Sequence, residues 1–265
     1  MGGTADAITS RPLDAGSVPA KPQTAPAAVG GAGWRILKFF TALALIPICV
    51  GLTLGAHDHF LSAWAHLNFT IHGPGLMLKW LAIGAASFIG LVVLIWRPML
   101  LYIFGHEITH ALATWLCLGK ISNLSASTTG GQITTSKSNT FIRLAPYSVP
   151  LYALLIVLLY YALNSWWRPL DDYTHWLAFG LGFLYTFHVG FSLWSLRRNQ
   201  PDLKTDGWLF SLTLIYLANL FVFVMLLTFV MERNIQDVGL AVKDVCVLGW
   251  QHTVHIYQNL RGMLK

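Results

Sequence analysis

Residues 104–116 read FGHEITHALATWL. His106, Glu107 and His110 sit inside a run otherwise built from Leu100, Leu101, Ile103, Phe104, Leu112, Trp115 and Leu116. By insertion scales an ionised side chain at bilayer depth costs about 3 kcal/mol. Three polar side chains close together in an apolar segment therefore need a local reason. A bound metal ion supplies one. A polar patch lining a conduction path is the other reading that these residues leave open.

The rest of the chain has the same apolar character. Of its 265 residues, 55% are hydrophobic and 11% charged. A soluble domain carries about a quarter charged residues, so the composition points to a polytopic membrane protein. The formal net charge of +6 comes mostly from residues flanking apolar segments. With no basic run and no nucleic-acid motif, the partner of that charge is the lipid bilayer rather than nucleic acid. Cys49, Cys117 and Cys246 are widely spaced and form no CxxC. They read as packing residues, not as a disulfide framework or a thiolate metal site.

A bilayer core of about 30 Å takes about 20 apolar residues per helix. Six runs qualify: 36–56, 75–96, 98–118 (which holds HEITH), 144–164, 174–196 and 208–231. The expected fold class is an all-α polytopic membrane protein with about six transmembrane helices. Pro98 suits the start of the third helix, where its missing N–H is not needed. Pro146 and Pro150 should bend the fourth near its start. Residues 1–33, rich in Ala, Gly, Pro, Thr and Ser, read as a disordered tail, too polar and too long for an ordinary signal peptide. Residues 34–231 form the membrane domain, with 98–231 as its core. In 232–265, Val238, Val242, Val245, Leu248 and Leu260 recur at roughly helical spacing. That stretch reads as an amphipathic or surface helix, lying along the membrane or against neighbouring loops.

Arg35 and Lys38 precede or open the first run, and 57–74 holds no Lys or Arg. The positive-inside rule then puts the N-terminus and Arg97 inside. Simple alternation places Arg197 and Arg198 outside, against the rule. A re-entrant run among the six would remove the conflict.

His106 and His110 are four residues apart, so on a helix they share one face. Two imidazoles at that spacing can grip one zinc ion (Zn2+). Glu107 is rotated by about 100° and can reach a water beside the metal. Zinc lowers the pKa of that water, and Glu107 takes the proton. The water so activated would attack a carbonyl, and Glu107 would pass the proton to the leaving amine. Hydrolytic zinc usually has three protein ligands and an open position. The best source of the third is 197–212, RRNQPDLKTDGWLFSL, through Asp202 or Asp206. Asp171 and Asp172 are rivals, in a stretch that reads as a solvated loop.

Taken together, these residues resemble the site-2 protease group, intramembrane zinc metalloproteases of the M50 type. HEITH on a hydrophobic helix matches, and Asp206-Gly207 matches the group's Asp-Gly pair near the start of a later helix. Asn199 and Pro201 echo its Asn/Pro approach. Thr205 stands where Leu is usual, and the usual second Pro is absent. The chain looks closer to the small bacterial M50B-like branch, where Asp202 in QPDL is the counterpart. The resemblance covers roughly 98–231. It implies a protease cutting a membrane protein or peptide in or near the membrane, with His106, His110 and one aspartate as metal ligands and Glu107 as the base. It also implies a bacterial inner membrane location and allows a regulatory membrane partner, since no soluble regulatory domain fits between the runs.

Residues 127–141, STTGGQITTSKSNTF, have strand propensity. Site-2 proteases resemble this in having a β-like segment after the HExxH helix. Its edge would pair with an unwound substrate by β-augmentation; a plain polar loop is the other reading. His188 interrupts the fifth run, and reads as a buried histidine or a group near the site. His57, His59, His66 and His72 read as residues of a solvated loop, or as an accessory metal patch. A membrane di-iron oxygenase would need an adjacent His pair, which the chain lacks. A transporter or scaffold is the alternative class; it has no need for Glu107.

Overall fold

The computed structural model describes residues 31–65, 73–128, 130–166, 173–198, 200–232 and 235–263. The tail expected over 1–33 therefore falls almost wholly outside the described residues, as do His66, His72, Asp171, Asp172 and Asn199. The elements are α1 (Ala32–Trp64), α2 (Pro74–Leu94), α3 (Met99–Leu116), β1 (Ile121–Ala126), β2 (Gly131–Thr135), α4 (Thr140–Ser148), α5 (Leu151–Asn164), α6 (Thr174–Leu196), α7 (Pro201–Asp206), α8 (Trp208–Glu232) and α9 (Ile235–Met263).

Among the described residues, four helices are long and apolar enough to cross a membrane: α1, α2, α6 and α8. A fifth crossing exists if α4 and α5 count as one, bent by 71° at their break. That break falls at Val149-Pro150, because Pro150 donates no backbone hydrogen bond and disfavours helical geometry in the residue before it. The HEITH run is not among the candidate spans. It makes α3, an 18-residue helix whose polar residues dilute its apolar character. The outward faces carry large apolar side chains such as Leu94, Val93, Leu158, Leu159, Phe40 and Ile89, all more than half exposed. Apolar surface of this extent is what a lipid-facing bundle presents.

Side-chain contacts fix the directions. Gly182 of α6 lies against the backbone of Leu81, and Gly84 of α2 against that of Phe179. Phe88 packs edge-on against Phe183, Phe187 and Phe191 further along. So α2 and α6 run parallel, at a separation that only glycine permits at the crossing points. Lys38 lies near Phe210, and Ala56 clusters with Val224, so α1 and α8 also run parallel. Tyr185 of α6 meets Asn219 of α8, and Leu226 and Val230 pack near Leu177, which makes these two antiparallel. α5 is antiparallel to α6, with Tyr152 against Phe187 and Ile156 against Gly180.

α1, α5 and α8 therefore point one way, and α2, α6 and α9 the other. Between α2 and α5 the chain inserts α3, a hairpin and α4. The hairpin pairs β1 with β2 antiparallel, from Ile121–Thr135 to Ala126–Gly131, with an irregularity at its open end. It confirms strand structure after the HEITH helix, but β1 lies upstream of the stretch expected from sequence. Because α3 to α4 is an insert at one end, the turns that follow α2 and α6 emerge together. Arg97 and Arg198 line one cleft there. Arg198 thus lies at the same end of the bundle as Arg97.

The C-terminal segment is α9, which packs lengthwise and antiparallel on α1. Tyr257 donates to the Ala44 carbonyl, Thr253 meets Gly51, and Gly249 meets Gly55. A Cβ on Gly51 would fall 2.0 Å from Thr253 Oγ1, and one on Gly55 would fall 2.4 Å from the Gly249 nitrogen. Val238 and Val245 are buried, as their spacing predicts, and Leu260 is exposed. His57 and His59 are in α1 rather than in a loop. Asp58 joins His57 (3.0 Å) and His252 of α9 (2.8 Å).

Candidate metal centre

α3 and α4 lie antiparallel at the end of the bundle where α2 stops. Asn139 caps α4, its side chain accepting from the Ile142 N–H at 2.8 Å, and its amide reaches Cys117 Sγ at 3.3 Å. The cap holds α4 beside the C-terminal half of α3. There the Ile142 carbonyl lies 2.8 Å from His110 Nδ1. A carbonyl only accepts, so Nδ1 carries a proton, and Nε2 is the ring atom that faces Asp202 and would meet a metal in place of its proton. The His106 ring stands edge-on to His110 (centroids 4.9 Å, 81°) and to Tyr147 of α4 (5.1 Å, 86°). Tyr102, one turn earlier, places its hydroxyl 3.4 Å from His106 Nδ1.

α7 brings the third group. Asp202 Oδ2 lies 3.6 Å from His110 Nε2 and accepts a hydrogen bond from the Tyr147 hydroxyl at 3.3 Å. Burial pushes the Asp202 carboxyl up, but its bond to His110 and the charge there outweigh burial and hold it below the ordinary carboxylate value. One ligand atom each from His106, His110 and Asp202 lie within 4.8 Å of one another. A tetrahedral ion with bonds of about 2.1 Å sets its ligand atoms about 3.4 Å apart. The His110–Asp202 separation of 3.6 Å is close to that value. Two imidazoles with one carboxylate form a donor set suited to zinc.

Asp206 is not brought to the histidines. It is buried, and its two oxygens are occupied: Oδ1 by Lys38 Nζ and the Thr140 hydroxyl (3.1 Å), Oδ2 by Arg143 Nε (3.0 Å) and NH2 (2.6 Å). Burial pushes this carboxyl up as well; the ammonium of Lys38 and the guanidinium of Arg143 outweigh it and hold it down. Gly207, at φ +92°, ends α7 in a conformation open to glycine. The Asp-Gly pair is here a buried ion cluster and a helix stop.

Glu107 is buried on α3, pressed by the first residue of β2: a Cβ on Gly131 would fall 2.5 Å from Glu107 Oε1. Glu107 and His106 line a cleft of about 1240 Å³ walled by α2, α3, α6 and the hairpin turn. Its apolar wall includes Phe88, Val92, Ile103 and Phe191; Arg97, Arg198 and Gln200 add polar groups. His188 is buried in α6 and is not one of the three clustered groups.

Sequence reasoning missed Lys38, Arg143 and Tyr147. The first two carried a signal: each is a cation within or beside an apolar run, where an ionised group implies a buried partner. Tyr147 carried none, since a tyrosine in an apolar run is ordinary. Comparison of the chain with family models, curated proteins and solved structures yields no match.

Proposed function

We propose that the protein is a membrane-embedded zinc metalloprotease that hydrolyses a peptide bond in or near the bilayer. The observation that carries this reading is the convergence of His106 and His110 of α3 with Asp202 of α7, nearly a hundred residues away in sequence, with Glu107 beside them on a cleft. A zinc ion bound there supplies the Lewis acidity that makes a neighbouring water acidic enough to lose a proton near neutral pH. Glu107 takes that proton and returns it to the leaving amine. Ile142 and Tyr147 orient His110 and Asp202, as groups behind metal ligands do. The apolar wall of the cleft accepts the side chains of a membrane peptide, and the hairpin offers strand edges to an unwound segment.

Arg35, Lys38, Arg97, Arg197, Arg198 and Lys204 all lie toward the end of the bundle that carries the site. By the positive-inside rule that end is cytoplasmic. The resemblance to site-2 proteases adds the bacterial inner membrane and the class of substrate, a membrane protein or peptide.

The test is bound metal. Wild type and His106→Ala are purified in detergent and assayed by elemental analysis. The reading expects one zinc per chain in wild type and none in the variant. No zinc in either, after zinc is supplied during purification, would leave a transporter or scaffold as the better account.

A further inference from the structure

We infer that Lys38 and Arg143 are positioning residues: through Asp206 they hold α7 in the orientation that aims Asp202 at His106 and His110. The link to metal affinity rests on the zinc reading above; the link to α7 does not.

α7 has six residues, too few to hold helical form alone. Leu203 anchors it against Leu144, Tyr147 and Ile215, and its carbonyl accepts from Ser211 at 3.2 Å. Apolar packing is non-directional, so Leu203 sets the depth of α7 better than its rotation. Asp206 supplies direction. Arg143 grips Oδ2 through two nitrogens, and Lys38 and Thr140 take Oδ1, so the carboxylate plane is held at both oxygens. Asp202 is four residues earlier, on the same face of α7. Fixing one carboxylate fixes the other.

The cluster is an expensive device if stability were its only product. Lys38, Arg143 and Asp206 are all more than nine-tenths buried. Buried ion pairs seldom stabilise more than apolar side chains of similar volume would. Two cations also meet a single carboxylate. What the cluster gives that apolar packing would not is a fixed orientation. Its Lys38 comes from α1, upstream of the 98–231 stretch, so the first helix belongs to the working centre.

The experiment uses the full chain in detergent, as wild type, Lys38→Met, Arg143→Met, Lys38→Arg and the double variant Lys38→Met/Asp206→Asn, which keeps the buried net charge. Two quantities are read: hydrogen exchange of the α7 amides in metal-free protein, and zinc affinity by competition with a chelator. The methionine variants and the double variant should lose protection in 202–206 while the long helices keep theirs. They should bind zinc about 10–100-fold more weakly, the usual effect of losing a group that orients a ligand. Lys38→Arg should stay near wild type. Wild-type exchange in α7 of the methionine variants would overturn the proposal. So would protection lost evenly across every helix, which would assign the cluster to global folding. If wild type binds no zinc, the metal reading fails, and the exchange comparison still decides whether the cluster positions α7.

Discussion

Asp202 and Asp206 stand one turn apart on α7, yet only Asp202 reaches the histidines, with Oδ2 3.6 Å from His110 Nε2. The oxygens of Asp206 belong to Lys38, Arg143 and Thr140. Asp202→Asn should therefore lower zinc affinity by about 100-fold or more, roughly 2.8 kcal/mol. Asp206→Asn should still reach one zinc per chain at saturation. Titration of both variants checks this, and the reverse pattern would make Asp206 the ligand.

Among the described residues, Glu107 is the acidic group that shares the cleft with His106. Glu107→Gln keeps the shape and removes the base. Cleavage of a membrane peptide should fall by about 10²–10⁴-fold, the range for losing a general base, with zinc content unchanged. Full activity in that variant would sink the mechanism.

The hairpin presses on Glu107 at one point. A methyl on Gly131 would meet Oε1 at 2.5 Å and Cδ at 2.8 Å, whereas one on Gly130 meets nothing within 4 Å. Gly131→Ala should displace Glu107 and lower activity at least tenfold, or about 1.4 kcal/mol of barrier. Gly130→Ala should be near neutral. Equal activity in the two variants would mean that the hairpin does not set the position of Glu107.

The α1–α9 contact depends on absent side chains. Gly55→Val would drive a side chain into the Gly249 backbone. The expected loss is about 1–3 kcal/mol, the usual range for overpacking, read as a lower melting temperature. Gly90→Ala, in open space on α2, should be neutral or slightly stabilising. A melting temperature unchanged in Gly55→Val would dissolve the docking of α9 on α1.

Acid should weaken the ion cluster. The Asp206 carboxyl is held below its ordinary value by Lys38 and Arg143. Its contribution is therefore fully present above the unfolded carboxylate pKa of about 3.9 and is lost as pH falls through the lower folded value. Asp202 acts with the same sign. Metal-free wild type should lose melting temperature as pH is lowered through this range. Asp206→Asn should start lower and fall less. An identical slope in both would remove Asp206 from the acid response.

The sequence by itself determined the solvent. Runs such as 208–231 hold no charged residue, and the chain's 11% charged residues are less than half of what a soluble domain carries. It also determined the pair His106 and His110, because a four-residue spacing on one helix is local geometry. Strand structure after α3 was legible from propensity, but its register was not: Ser125 pairs with Gln132 across a turn whose position local composition left open. The number of crossings was legible only in part, since length and hydropathy do not reveal that α3 and α4 form an insert at one end. The aspartates show the limit most clearly. Asp202 and Asp206 are the same residue type one turn apart, equally able to bind a metal. What separates them is Lys38, 168 residues away from Asp206 in sequence, and Arg143, 63 residues away. A choice made by long-range charge pairing is invisible to local pattern, so only the packing of α1 and α4 around α7 decided it.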